Sequence, residues 1–301
     1  MNPLFILAMI LLFYLNAIPY IIIISAIILI QFFIMGSRKF DSSLSFSIYD
    51  NPNESNSYLF YNWNCKKAFE FINKKKNEGY SNLTLTIYLG IALARALGKN
   101  NVLNGKIPLG NFLHEESIDV DFLVALDKGD NIGDIIIRNA NLKTISEVGK
   151  ELSIVASPLK KNRNPEYLKQ TKSIEILPTF IYNLLVYFLE YLSSYFNFSN
   201  KSLGLRKRHF GSIVVTSIGG LGYLNIIPPI NPIIHCPFLV ALNKAIDQPI
   251  VSNEGNSIEI NKSAQVSITF DCRYMNINGL KGFYNDLDFY LNSPEILETG
   301  K

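Results

Sequence analysis

Hydrophobic and polar positions divide the chain unequally. From Met1 to Ser37 no residue is charged. Leu4–Leu15 forms one apolar run and Ile18–Met35 a second, with Asn16 between them and Pro19 near the start of the second. A membrane-spanning helix needs about 20 apolar residues. The pattern therefore predicts a hydrophobic membrane anchor over 1–37, crossing once through the second run or folding as a hairpin that turns between Asn16 and Pro19. A cleaved signal peptide would carry a basic residue near Met1 and small residues at a cleavage site, and neither is evident. Arg38 and Lys39 follow the apolar stretch directly, and positive charge beside a span favours the cytosolic side. The expected arrangement is one domain over 38–301, held at a membrane and facing the cytosol.

Behind the anchor the period changes. Lys39–Tyr49 alternates loosely and runs into Asp50-Asn51-Pro52, a strand leading to a turn. Cys65–Asn77 has the helical period, with Ala68, Phe69 and Ile72 on one face and lysines on the other. Ser81–Leu97 is a stronger helix: Thr84 and Thr86 open it, Ile87, Ile91, Ala94 and Leu97 recur at helical spacing, and Gly98 marks its end. Val120–Leu126 and Ile132–Arg138 read as strands and Thr144–Ser153 as a helix. Ser157–Lys172 is polar and basic, a linker or an exposed helix. In the last third, Ser212–Ser217 is a strand followed by the glycine-rich loop 218–222. Phe238–Lys244, Ile258–Ile260 and Gln265–Asp271 are further strands, and Gly279–Leu291 is a closing helix. Strands and helices mix without regular βαβ alternation, which predicts a mixed-sheet α/β or α+β domain.

One segment does not fit a water-soluble surface. Ile176–Phe198 contains a single charge, Glu190, among Leu, Phe, Tyr and Val. It reads as a core helix of the domain, as a helix lying on the membrane or lining an apolar substrate tunnel, or as a further span; Pro178 and Glu190 count against the last.

Charge and composition narrow the chemistry. The chain has 301 residues and a formal net charge of +3. Nucleic-acid binding proteins carry a concentrated basic face, and the one dense basic cluster here is Arg206-Lys207-Arg208, so a nucleic-acid partner is not expected. Cys65, Cys236 and Cys272 are widely spaced and odd in number, which argues against a disulfide framework. His114, His209 and His235 are too far apart in sequence to form a ligand pair, so no metal site is expected. Nor does any motif point to a covalently bound cofactor.

Several short pieces, in order, resemble the catalytic domain of the 2-oxoacid dehydrogenase dihydrolipoyl acyltransferases, which shares its fold with chloramphenicol acetyltransferase. They are Ala92-Leu93-Ala94-Arg95-Ala96-Leu97 followed by Asn104-Gly105; Ile136-Ile137-Arg138-Asn139-Ala140 before the helix carrying Ile145 and Glu147; Phe210-Gly211-Ser212-Ile213-Val214-Val215-Thr216-Ser217-Ile218-Gly219; Pro228-Pro229; Asp247-Gln248-Pro249; and Thr269-Phe270-Asp271-Cys272-Arg273, running on to Phe283 and Asn292-Ser293-Pro294. The resemblance covers roughly Arg38 to Leu297. It implies a mixed-sheet domain of the chloramphenicol acetyltransferase type, a homotrimer with its site between neighbouring subunits, and transfer of an acyl group from a thioester such as acyl-CoA to a thiol or hydroxyl. In that chemistry a histidine takes the proton from the acceptor, and a hydroxyl on a sheet strand donates to the tetrahedral oxyanion.

Carried over position by position, Thr216 falls at the oxyanion hydroxyl; its plain alternative is a strand threonine with a satisfied hydroxyl. Cys272 stands where the family has histidine, Arg273 is retained, and Asn276 takes the place of an aspartate. A two-residue insertion would put Asn278-Gly279 there instead. A thiol is a poor base near neutral pH but, as thiolate, a good nucleophile. An S-acyl intermediate on Cys272 is one route, with His209, His235 or Arg273 approaching in space. Such acyltransferases carry lipoyl and subunit-binding regions ahead of this domain, and the resemblance together with the apolar run leads us to expect the anchor in their place.

Two functional expectations follow. One is a membrane-anchored acyltransferase using an acyl-CoA or other thioester, with an acyl-CoA or lipid as ligand. The other is a catalytically inactive pseudoenzyme, a membrane-tethered trimeric scaffold or acyl-ligand-binding module. A chance resemblance in an unrelated membrane protein is the third reading, and a fold without the mixed sheet would favour it.

Overall fold

An apolar helical window becomes the centre of the domain. In a computed structural model, which describes residues 56–107, 112–126, 131–160, 179–196, 210–230, 235–251, 257–274 and 277–299 together with Pro19, Ser199 and Arg208, helix α2 spans Leu85–Lys99 and is buried without a break from Ile87 to Leu97. A helix that is apolar all round is a core helix. Thr84 caps it, its hydroxyl accepting from the Ile87 N–H at 3.3 Å, an N-cap bond worth about 1 kcal/mol. Gly98 does not end the helix; the turn closes one residue later, where the Asn100 N–H reaches the Ala96 and Leu97 carbonyls.

Helix α1 (Lys66–Asn77) buries Ala68, Phe71 and Ile72; Phe69 is only half-buried. Helix α3 spans Ile145–Lys160, longer than the sequence pattern predicts. A reciprocal cap starts it, with the Thr144 N–H donating to Glu147 at 2.8 Å and the Glu147 N–H to the Thr144 hydroxyl at 3.2 Å. Helix α4 spans Thr179–Phe196 and helix α5 Ile277–Asn292.

The strands are β1 (Asn56–Asn64), β2 (Gly105–Lys106), β3 (Leu113–His114), β4 (Val120–Leu126), β5 (Asn131–Ile137), β6 (Ile213–Ser217), β7 (Phe238–Leu242), β8 (Ile246–Val251) and β9 (Ile258–Asp271). Seven of them form one mixed sheet in the order β1-β9-β7-β6-β4-β5, with β8 paired to β9. The β4–β6 and β6–β7 pairs are parallel and the others antiparallel. This is the mixed-sheet α/β architecture expected from the sequence.

Alternation along the strands gives the sheet two different faces. Trp63, Phe122, Val215, Phe238 and Ile268 face the helices and join the main core; Phe238 stacks on Phe283 of α5 at 4.7 Å and Trp63 lies against Tyr88 of α2 at 5.3 Å. Each large side chain buried this way contributes about 1.5–3 kcal/mol. Val214 and Leu239 face the other way, against Ile230 and Cys236 of the β6–β7 connection.

The predicted anchor over 1–37 and the predicted strand at Lys39–Tyr49 lie outside the described residues, Pro19 apart. Among the described residues no helix is long and apolar enough to cross a membrane.

Candidate functional site

The site rests on a buried carboxylate where three strand ends meet. Asp119, just before β4, accepts from the Ser117 hydroxyl at 2.5 Å, from the Arg138 guanidinium at 2.7 Å and from the Asn139 N–H at 2.9 Å. Its backbone carbonyl accepts from the N–H groups of Ser212 at 2.8 Å and Ile213 at 3.2 Å. Arg208 donates to the Ser117 carbonyl at 2.9 Å and to the Ser212 hydroxyl at 3.1 Å. Burial alone would raise the Asp119 pKa, but the hydrogen bonds from Ser117, Arg138 and Asn139 and the charge of Arg208 outweigh it and hold the carboxyl below its usual range. Gly211 sits at φ +65°, and a Cβ there would come within 2.7 Å of the Asp119 carbonyl oxygen, so the approach needs glycine. The sequence pieces Arg138-Asn139-Ala140 and Phe210-Gly211-Ser212 thus form one joint that fixes where β6 begins.

At the far end of β6 stands Thr216, half-buried. No hydrogen bond to its hydroxyl is found among the described residues. The following loop is pinned by Asn243, whose side chain accepts from the Ile226 N–H at 2.8 Å and donates to the Gln265 carbonyl at 3.1 Å and the Ser267 hydroxyl at 3.0 Å. Leu221, Tyr223, Leu224 and Ile227 of that loop are exposed.

Cys272 follows β9 directly and is exposed, whereas Cys65 and Cys236 are buried. Burial pushes the Cys65 thiol up to about 12 and the Cys236 thiol higher still. Neither is placed for thiolate chemistry. The Cys272 sulfur lies 2.9 Å from the Ser57 hydroxyl of β1. Arg273, next along, turns back on Asp271 in a two-point ion pair at 2.6 and 2.9 Å, which fixes the turn presenting Cys272. Tyr274 packs edge-on against Phe112 at 6.1 Å. Asn276, like His209 and the alternative Asn278 side chain, lies outside the described residues. His235 lines a small recess with Lys106, Arg208, Phe210 and Gly211.

The register separates the two candidate groups. Thr216 is level with Ala241 on β7, and Ala241 with Ser267 on β9. Cys272 is five residues beyond Ser267, about 16 Å further along the strand direction and two strands across. One copy of the chain therefore does not bring them together.

Residues 197–298 match the model of the 2-oxoacid dehydrogenases acyltransferase (catalytic domain) family, which spans both candidate positions. The fold is that of acetyltransferase cores. The structure is similar to a probable dihydrolipoamide acetyltransferase from Listeria monocytogenes, with a TM-score of 0.56 and 15% identity over 84% of this chain and 87% of the other. It is similar to the cubic core of a pyruvate dehydrogenase multienzyme complex, with a TM-score of 0.60 and 16% identity over 85% and 88%. It is also similar to the dihydrolipoamide acetyltransferase of Azotobacter vinelandii, with a TM-score of 0.58 and 15% identity over 87% and 89%; a serine, a histidine and an asparagine four residues after it have been investigated there for roles in catalysis. No curated protein matches the chain by sequence.

The sequence did not mark Ser57 or Asp119, and it gave Asp271, which stands in the resemblance piece carrying Cys272, no role. An acidic residue directly before a predicted strand, as Asp119 is before Val120–Leu126, was available as a signal. Nothing in the sequence singled out Ser57, which is 215 residues from its partner.

Proposed function

We propose that the chain is a membrane-tethered acyltransferase of the 2-oxoacid dehydrogenase acyltransferase type, passing an acyl group from a CoA thioester to an acceptor thiol or hydroxyl through Cys272. The observation that carries this reading is the exposed Cys272 thiol, presented by the Asp271–Arg273 pair and touching Ser57 at 2.9 Å. In the Azotobacter vinelandii protein the investigated serine, histidine and asparagine follow one another with a four-residue step between the last two. Thr216, Cys272 and Asn276 keep that order and that step.

In the proposed reaction the Cys272 thiol loses its proton to solvent, and the sulfur attacks the thioester carbonyl. The Thr216 hydroxyl of a neighbouring copy donates to the oxyanion, because the sheet keeps the two groups of one copy apart. An oxyanion donor of this kind contributes about 10²–10³-fold in rate. The carbon–sulfur bond to CoA then breaks, and the leaving CoA thiolate takes up a proton. The acceptor attacks the Cys272 thioester, loses its proton and releases the thiolate. No redox change occurs. The N-terminal apolar run holds the domain at the membrane and Arg38-Lys39 places it on the cytosolic side, where acyl-CoA is available.

The test is CoA release from acyl-CoA by the full-length protein, read beside its intact mass. An added acyl mass that disappears in Cys272→Ala, together with loss of CoA release, is the expected result. Unchanged release in Cys272→Ala rules the route out.

One observation favours a second reading, a trimeric scaffold or acyl-binding module without turnover. The partner of Cys272 among the described residues is a hydroxyl, and Asp271, the nearest carboxylate in sequence, is bound by Arg273. Acyl-CoA binding without CoA release by the unaltered protein is the outcome that reading requires.

A further inference from the structure

We propose that α4 is an interfacial helix that rests on the surface of an anionic phospholipid bilayer through its Leu184, Leu185, Phe188 and Phe196 side chains. The proposal builds on the membrane-tethered reading above and adds a second point of contact within the folded domain.

These four side chains are 70%, 38%, 57% and 64% exposed. At 100° per residue they fall within an arc of about 120° on one side of the helix. Ser193, by contrast, is fully buried, and the Arg208 N–H reaches its carbonyl at 3.4 Å, so the helix meets the body there. Leucine and phenylalanine presented to water from one face of a helix are a surface waiting for an apolar partner.

Length and composition favour lying over crossing. Eighteen residues of helix reach only about 27 Å, short of a hydrocarbon core of roughly 30 Å. The helix also carries Asn183, Glu190, Ser193 and Ser194, and it falls below the apolarity of a span.

Charge selects the partner. The stretch before the helix, 160–175, holds Lys160, Lys161, Arg163, Lys169 and Lys172 against Glu166 and Glu175; the stretch after it, 199–207, holds Lys201, Arg206 and Lys207 and no acid. That is eight basic residues against two acidic ones, in a chain whose whole net charge is +3. An apolar helical face flanked in sequence by basic residues is complementary to acyl chains beneath acidic headgroups.

The test uses the full-length protein reconstituted in vesicles of phosphatidylcholine containing roughly a third phosphatidylserine, an anionic surface of the required kind. Trp63, the one native tryptophan, is fully buried and serves as the internal reference. In Phe188→Trp, the introduced indole should be quenched about twofold or more by brominated phosphatidylcholine and shielded from aqueous iodide. The native protein should show neither response, and quenching should weaken in pure phosphatidylcholine. An introduced indole open to iodide overturns the proposal, as does one shielded from both quenchers, which would mean a protein partner. The tether is read separately by an alkaline carbonate wash. Protein that washes off while bromolipid quenching persists at neutral pH sinks the N-terminal tether and leaves the α4 contact standing. Protein that stays while the indole is open to iodide does the reverse.

Discussion

Thr216 and Cys272 stand at opposite ends of one sheet: Thr216 is level with Ser267 of β9, and Cys272 lies five residues further on. If the hydroxyl and the thiol act on one carbonyl, they come from different copies. Thr216→Ala and Cys272→Ala, each inactive alone, should therefore complement when co-assembled. Random mixing in a cyclic oligomer leaves about a quarter of the interfaces with both groups intact. Recovery of about that share of CoA release in mixed assemblies, and none on mixing preformed ones, is the expected result.

The Arg273–Asp271 pair predicts a second effect. Arg273 is largely exposed at its guanidinium while Asp271 is buried, so the pair positions the turn more than it holds the fold. Arg273→Gln should lower S-acylation of Cys272 about tenfold or more, in the manner of a misplaced reacting group, while the thermal midpoint changes little. Intact mass after brief exposure to acyl-CoA measures the first, and a melting curve the second.

Asp119 predicts an acid-sensitive fold. Its folded pKa is depressed, so its contribution is present above the unfolded value of about 3.9 and is lost as pH falls through the folded value. Asp119→Asn removes the charge that faces Arg138 and Arg208 and should cost about 3 kcal/mol near neutral pH. The variant should also lose part of the acid dependence below about pH 4 that the native protein shows. Urea midpoints measured across that range decide it.

Gly211→Ala tests the same joint without touching a charge. The new methyl group meets the Asp119 carbonyl at 2.7 Å and the backbone stays at φ +65°. A loss of about 1–3 kcal/mol is expected, read by chemical unfolding. Gly79→Ala shares the positive φ but meets nothing within 4 Å, and should cost less.

Much of the fold could be read from the sequence, where burial is one-sided or complete. Helix α2 and the strands β4, β6 and β7 announce themselves because their apolar runs have no competing explanation. β1 does not. Its outward residues Tyr58 and Phe60 are as apolar as its inward Tyr61 and Trp63, so no alternation marks it. β8 is hidden by Pro249, tolerated because β8 pairs on one side only. β9 reads as two strands because Asn261, Lys262 and Ser263 interrupt its apolar pattern, yet it is one strand of 14 residues. The position of Cys272 was legible through its neighbours in sequence. The Ser57 contact and the distance from Thr216 were not, since both arise from pairings between segments far apart along the chain.

The clamp around Asp119 has one more consequence. The chain leaves β5 at Arg138 and returns toward β6 at Arg208, and both arginines bind within the same joint. The excursion between them is closed at its mouth, and lengthening such a closed loop costs only about 0.6 kcal/mol per doubling. Not all of it is free to change, since α3 within it buries Ile145, Val148 and Leu152 in the main core. The start of β6 is thus set twice over, by the joint itself and by the α3 contacts that the excursion carries back to the core.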